Sequence, residues 1–166
     1  MILYAETSAA LAWLLGEDAG QAVGRELGRA DCVVASELTW IEVERLLLRY
    51  EAARRLERPQ AARLRKRFST TAAAWEVVAL GPDVLARARG RFPVEPVRTL
   101  DAIHLASALA CRDVERGLEF LSLDRRCRAN ARELGFHVLP ALVTELREPR
   151  RRRSGVSRPR TSSHRA

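Results

Sequence analysis

The sequence predicts one α/β domain in which helices cover both faces of a central parallel sheet. Short apolar segments with β-compatible composition recur along the chain, and one or two helical segments separate each from the next. A chain of 166 residues can also bury a core without disulfide bonds or a structural metal. The predicted order of elements is βααβααβααβαβ.

In the first half of the chain, capping residues and a proline mark the limits of the helices. Thr7 and Ser8 can cap the first helix, and Ser36 can cap the long third helix. Pro59 cannot continue a helix and is expected to end that third one. The predicted elements are a strand at 1–5, a helix from 7 to about 16, a helix from about 18, a strand at 32–35, a helix from 37 to about 57 and a helix from 60 to about 73.

In the second half, Pro82 suits the first turn of a helix and Gly135 suits the end of another. The segment AIHLASALA after Asp101 has low polarity on all sides, which favours burial against the sheet. The predicted elements are a strand at 75–80, a helix from 82 to about 90, a loop at 93–96, a helix that begins at Thr99 or Asp101, a strand at 119–123, a helix at 125–134 and a strand at 136–139.

Positive charge is concentrated at the end of the chain. Residues 147–166 contain eight arginines and one acid, so +7 of the net charge of +8 lies there and residues 1–146 carry +1. We expect a folded domain at 1–142 and an arginine-rich, disordered tail at 143–166. The tail can add nonspecific affinity for RNA phosphates or serve only as a solubilising segment, and the sequence favours neither interpretation.

No segment has the properties of a membrane span or a signal peptide. The longest run without Asp, Glu, Lys or Arg has eleven residues, 134–144, which is too short to cross a bilayer. The N-terminus lacks the basic region of a signal peptide. We therefore expect a cytoplasmic protein.

The three cysteines, Cys32, Cys111 and Cys127, form no CxxC pair. Their odd number and their apolar or helical surroundings predict a reducing compartment and argue against a thiolate zinc site. Cys127 lies between Arg126 and Arg128, which would favour a reactive thiolate. A plain helix residue is the favoured interpretation.

Glu6, Glu42, Asp101 and Asp124 are the candidate catalytic and metal-binding residues. Ligands of open α/β sheets bind at the carboxyl ends of the strands, and Glu6 and Asp124 follow the first and fourth predicted strands. If those strands are neighbours, the two carboxylates meet, and Asp101 and Glu42 reach them from helices. Converging carboxylates repel one another unless a hard cation such as Mg²⁺ or Mn²⁺ neutralises them.

Each of these acids also has a structural interpretation. Glu42 precedes Arg45 on the same helix face and can form an exposed ion pair. Asp101 is favoured electrostatically in the first turn of a helix, and Asp124 can cap the helix that follows it. Glu6 can be a solvated loop residue, although a charge between an apolar strand and an apolar helix has little structural purpose.

Three polar residues near the acids have two interpretations each. His104, one turn after Asp101, can carry protons or orient a metal ligand, but a lone histidine in an apolar helix is more simply a hydrogen-bonded core residue. Thr7 and Ser8 can orient Glu6 or a metal-bound water, and helix capping explains them equally well.

Four motifs resemble, in order and spacing, those of the PIN-domain nucleases, and particularly the VapC-type toxins of bacterial toxin–antitoxin pairs. They are TSAALAWLL after Glu6, SELTWIEVERLLLR around Glu42, LDAIHLASAL around Asp101 and LSLDRRCRANARELGFHVL around Asp124. The resemblance covers residues 1 to about 142.

The resemblance implies a PIN-like three-layer α/β/α domain with a central parallel sheet, which forms a homodimer. It also implies that the four acids bind Mg²⁺ or Mn²⁺ and cut RNA, and that a cognate antitoxin inserts a C-terminal segment into the groove. The family usually has Asp where this chain has Glu6. The extra methylene moves the carboxylate outward by about 1.5 Å, so metal placement is expected to shift while activity survives.

The sequence therefore predicts a metal-dependent endoribonuclease. A metal-activated water would attack phosphorus and leave a 5′-phosphate and a 3′-hydroxyl, without a histidine or the RNA 2′-hydroxyl as nucleophile. The alternative is a catalytically degenerate domain that binds RNA or an antitoxin without cutting. A phosphoaspartate receiver domain is disfavoured by Glu6, and a nucleotide-binding enzyme by the absence of a Gly-rich phosphate loop.

Overall fold

The computed structural model describes residues 1–142, which contain five strands and seven helices. The strands are β1 (Ile2–Ala5), β2 (Cys32–Ser36), β3 (Glu76–Val78), β4 (Leu118–Leu121) and β5 (Val138–Leu139). The helices are α1 (Thr7–Leu15), α2 (Gly20–Arg29), α3 (Glu37–Ala52), α4 (Arg58–Ala72), α5 (Pro82–Ala88), α6 (Thr99–Val114) and α7 (Arg125–Glu133). The predicted order of elements is confirmed.

All neighbouring strands are parallel, in the order β3-β2-β1-β4-β5. Successive side chains of a strand point to opposite faces, so each face has its own core. Tyr4 and Phe120 pack with residues of α5, α6 and α7, whereas Ala5 and Val33 pack with residues of α1, α3 and α4. The three-layer α/β/α architecture is confirmed.

Strands β1 and β4 are neighbours at the centre of the sheet, as the site prediction required. Their register pairs Ile2 with Leu118 and Ala5 with Leu121. The ladder continues one residue past β1, where the backbone N–H of Glu6 donates to the carbonyl oxygen of Leu121 at 2.9 Å. The carboxyl ends of the two strands therefore meet at one edge of the sheet.

The boundary between α3 and α4 differs from the prediction. Helix α3 ends at Ala52 rather than near Glu57, and Arg54 has a left-handed backbone with φ of 55°. Glu57 and Gln60 form a capping box at the start of α4. Pro59 lies in the first turn of that helix, where its missing N–H costs nothing, so it does not end α3.

Arg128 is a fully buried arginine that connects three chain segments. Its backbone N–H donates to the Asp124 carbonyl oxygen at 2.9 Å. Its guanidinium donates to the carbonyl oxygens of Ser122 at 2.5 Å, Leu139 at 2.9 Å and Pro140 at 2.8 Å. The side chain thus joins the ends of β4 and β5 beneath the loop that carries Asp124.

The tail predicted at 143–166 lies outside the described residues. Within residues 1–142, no helix is both long and apolar enough to cross a membrane.

Two glycines of α2 provide a matched test of the packing of α1 against α2. A Cβ at Gly20 would overlap the carbonyl oxygen of Ala12 in α1, whereas a Cβ at Gly28 would have no atom within 4 Å. We expect Gly20→Ala to lower the free energy of unfolding by more than about 1 kcal/mol, because the backbones must separate. Gly28→Ala should raise it by up to about 1 kcal/mol through helix propensity. Urea unfolding measures both, and equal effects would contradict this packing.

Candidate metal centre

Glu6 is fixed at the end of β1 by its side chain as well as its backbone. It is the N-cap of α1, a role that the sequence had suggested for Thr7 or Ser8. Oε1 accepts from the backbone N–H of Ser8 at 3.0 Å, and Oε2 accepts from the hydroxyls of Ser122, at 2.8 Å, and Ser8. Only 6% of the residue is exposed. Glu6 is therefore a buried, oriented acid and not a solvated loop residue.

Asp124 is the N-cap of α7 and is linked to the same two serines. Its Oδ1 accepts from the backbone N–H groups of Arg126 at 2.8 Å and Cys127 at 3.0 Å. Its own backbone N–H donates to the hydroxyl oxygens of Ser8 at 3.0 Å and Ser122 at 3.1 Å. The two hydroxyls therefore bridge the acids that follow β1 and β4.

Glu42 reaches the site from α3 through His104 of α6. The His104 Nε2 atom lies 2.8 Å from Glu42 Oε2, 2.9 Å from Thr7 Oγ1 and 3.9 Å from Glu6 Oε1. Since a carboxylate only accepts, Nε2 carries a hydrogen, and Nδ1 lies 3.0 Å from the Tyr4 hydroxyl. His104 is buried, so it is the hydrogen-bonded core residue that the sequence favoured, and it also orients Glu42.

Asp101 and Asp124 are brought together with a cysteine. One carboxylate oxygen of each aspartate and the Sγ atom of Cys127 all lie within 4.8 Å of one another. Asp101 Oδ2 is buried and has no hydrogen-bond partner among the described residues. A buried oxygen without a donor is costly, and a cation at this point would satisfy it. The residues present therefore fit a divalent metal ion.

The pKa values of Glu6, Asp101 and Glu42 are shifted in different directions because the surroundings of the three carboxyls differ. Burial raises the pKa of Glu6, although His104 and the serine hydrogen bonds offset part of the effect. Burial and the nearby charge of Asp124 raise the pKa of Asp101. Burial acts in the same direction on Glu42, but the hydrogen bonds from His104 and Thr7 outweigh it and hold that pKa below its ordinary value.

Cys127 lies among these acids and is not a reactive thiolate. Burial, followed by the charges of Glu6, Asp101, Asp124 and Glu42, raises the pKa of its thiol. The idea that neighbouring arginines activate it is therefore wrong.

Two contributors to this region were absent from the sequence prediction. Ser122 stands two residues before Asp124 at the end of β4, and Cys127 stands three residues after it. Side chains three apart share a helix face, so the predicted start of α7 could have indicated Cys127. Nothing local indicates that the Ser122 hydroxyl points toward Glu6.

The raised pKa of Asp101 predicts a pH-dependent cost of folding without metal. A carboxyl whose pKa rises on folding, here from 3.8, binds protons more tightly in the folded state, so stability falls as pH rises through the folded pKa. In EDTA at about pH 7.5, Asp101→Asn should therefore be more stable than the parent, and the gain should shrink toward about pH 4. Urea unfolding at both pH values tests this. A gain that is equal at both, or shared by the exposed Asp18→Asn control, would contradict it.

Comparison with known proteins identifies the family. The PIN domain family model matches residues 3–133. A toxin–antitoxin complex from Klebsiella pneumoniae aligns with a TM-score of 0.53 and 17% identity, over 84% of this chain and 97% of that chain. A crystal structure of a Pyrobaculum aerophilum protein aligns with a TM-score of 0.51 and 18% identity, over 82% of this chain and 81% of that chain. No curated protein matches the sequence significantly.

At 17% and 18% identity, the two similar structures establish similarity of fold. Because the PIN domain family model matches residues 3–133, the chain belongs to the PIN domain family.

Proposed function

We propose that the chain is a metal-dependent endoribonuclease and the toxin of a VapBC-type toxin–antitoxin pair that acts in the cytoplasm. One observation carries the proposal: in a PIN domain, Asp101 of α6 and Asp124 after β4 converge, and the buried Oδ2 atom of Asp101 has no hydrogen-bond partner within residues 1–142. PIN domains are generally nucleases, and this arrangement is suited to hydrolysis assisted by a divalent ion.

Asp101 and Asp124 would hold the ion, with Glu6 and Glu42 beside them. Carboxylate oxygens are the ligands that Mg²⁺ and Mn²⁺ prefer. When bound, such an ion lowers the pKa of a coordinated water and neutralises charge on a phosphate. His104, Ser8 and Thr7 would orient these carboxylates rather than react with RNA.

Two arginines beside the acids, Arg126 and Arg98, would bind the RNA backbone. The charges of Arg126 and Arg98 act on Asp101 and lower its pKa, against the larger effects of burial and Asp124. Neither arginine forms a salt bridge within residues 1–142, so their guanidiniums are available for phosphate oxygens. They would also offset the repulsion between RNA and the acids.

A groove next to Glu42 is a suitable surface for an antitoxin segment. It has a volume of about 710 Å³, and its lining combines Arg45 and Arg49 with the exposed Leu48 and Leu100. An inserted peptide with an acidic and an apolar face would match this lining and cover Glu42. The structurally similar toxin–antitoxin complex from Klebsiella pneumoniae supports an antitoxin as the partner. We propose that the active form is a homodimer, as the family implies.

Metal-dependent cleavage is the first test of the proposal. The purified chain should cut a structured RNA in Mg²⁺ or Mn²⁺ and leave 5′-phosphate ends, including at a site where the 2′-hydroxyl has been replaced by hydrogen. EDTA should abolish cleavage, and Asp101→Asn should slow it by about 100-fold or more, the effect of losing one electrostatic group at the reaction centre.

The exposed Asp18→Asn variant is the matched control and should cut at the parental rate. Binding without cleavage in either metal, by protein whose fold is verified by circular dichroism, would favour the degenerate RNA-binding alternative. Cleavage that survives EDTA, or that requires the 2′-hydroxyl, would contradict the proposed chemistry.

A comparison of variants at Arg126 and at its neighbour Arg125 distinguishes a specific phosphate contact from a general effect of positive charge. Arg126 is half-buried beside Asp101, whereas Arg125 is exposed. We expect Arg126→Gln to raise KM for RNA by several-fold with a smaller change in kcat. The slope of log KM against log salt should fall by about 0.7, which corresponds to one phosphate contact on a single strand. Steady-state cleavage over a salt series measures both. An equal effect of Arg125→Gln would contradict a specific role for Arg126.

A further inference from the structure

Cys127 has an unusual place for a buried cysteine, because its sulfur faces carboxylates as well as the apolar core. The residue has no exposed surface and packs in the core cluster below α6 and α7. Its Sγ atom lies within 4.8 Å of one carboxylate oxygen each of Asp101 and Asp124. Its backbone N–H bonds Asp124 Oδ1 at 3.0 Å, so its position relative to Asp124 is fixed.

Core packing alone does not explain this arrangement. The Cys127 thiol has no hydrogen-bond partner within residues 1–142, and neither has the buried Asp101 Oδ2 atom. Potential ligand atoms of Asp101, Asp124 and Cys127 thus converge where one buried carboxylate oxygen, Asp101 Oδ2, receives no donor from residues 1–142. An apolar side chain would fill the same volume without placing sulfur beside two acids.

We propose that Cys127, Asp101 and Asp124 form a site for a borderline-soft divalent cation of the Zn²⁺ class, which competes with Mg²⁺ or Mn²⁺ for the acids. Mg²⁺ takes oxygen ligands and makes little use of sulfur, whereas Zn²⁺ binds thiolates and carboxylates in tetrahedral sites. On binding, the S–H bond breaks, the proton passes to solvent water, and the sulfur electron pair forms the bond to the ion.

The geometry is compatible with such an ion after small side-chain movements. Zinc bonds of about 2.3 Å to sulfur and about 2.1 Å to oxygen place those two atoms about 3.6 Å apart in a tetrahedron. The ligand atoms lie no more than 4.8 Å apart, so a contraction of at most about 1 Å is needed, which side-chain rotation can supply. A site that binds Zn²⁺ through sulfur would hold the aspartates away from Mg²⁺ and lower nuclease activity.

The inference concerns the acids of the proposed nuclease, but it does not require that the chain cuts RNA. Cd²⁺ is a suitable probe because a cadmium–thiolate bond produces an ultraviolet charge-transfer band. Cys32 and Cys111 lie together in a separate pocket and could also bind Cd²⁺, so the parent for the test is the full chain with Cys32→Ser and Cys111→Ser, in which Cys127 is the remaining thiol.

Titration of this reduced, metal-free double variant with Cd²⁺ should produce the band, and Zn²⁺ and excess Mn²⁺ should displace it. Addition of Asp101→Asn should weaken Cd²⁺ binding by about 10-fold or more, because the ion loses a ligand. Asp18→Asn should leave the affinity unchanged. These comparisons keep Cys127 intact, so they do not depend on whether a Cys127 variant folds.

Absence of the band from the folded double variant would overturn the inference. Unchanged Cd²⁺ affinity in the Asp101→Asn variant would also overturn it, because the thiol would then bind without the acid. RNA cleavage in Mg²⁺ is measured separately. A band without cleavage would refute the nuclease proposal alone, and cleavage without a band would refute the zinc-class site alone.

Discussion

The parallel pairing of β1 with β4 is the constraint on which the rest of the site depends. The two strands are far apart in the sequence, yet their register places Ala5 opposite Leu121. The next residue, Glu6, extends the ladder by one backbone hydrogen bond, and the Ser8 hydroxyl then receives the backbone N–H groups of Leu123 and Asp124. Because these hydrogen bonds set the backbone positions, Glu6 and the loop that carries Asp124 are held side by side with little freedom.

The structural roles of the acids at helix starts are compatible with the metal-binding role proposed for them. Glu6 and Asp124 each cap a helix, and Asp101 lies in the first turn of α6. A helix N-terminus carries partial positive charge, which lowers the cost of gathering negative side chains in one place. The fold therefore uses three helix starts to hold acids that would otherwise repel one another, and the remaining repulsion favours a cation.

The sequence was sufficient for features that depend on local patterns, and insufficient for those that depend on side-chain direction. The strand segments and the caps Ser36 and Asp124 follow from hydrophobic pattern and capping chemistry, which are local, whereas the cap of α1 is Glu6 rather than Thr7 or Ser8. The turn at Arg54 was missed because helix propensity continues through it. The pairing of His104 with Glu42 and the guanidinium contacts of Arg128 join residues from different elements, so no spacing in the sequence encodes them. The position of the Cys127 thiol beside the Asp101 carboxylate is likewise a contact between different elements, so the sequence does not encode it.

The hydroxyls of Ser8 and Ser122 link the start of α1 to residues 122–124, over sequence separations of 115 and 116 residues. Contacts of such long range form only when the intervening chain is available to fold. During translation, a nascent chain that ends before β4 and α7 have left the ribosome cannot possess the complete acidic centre. The topology therefore delays any activity of this centre until most of the polypeptide has been synthesised.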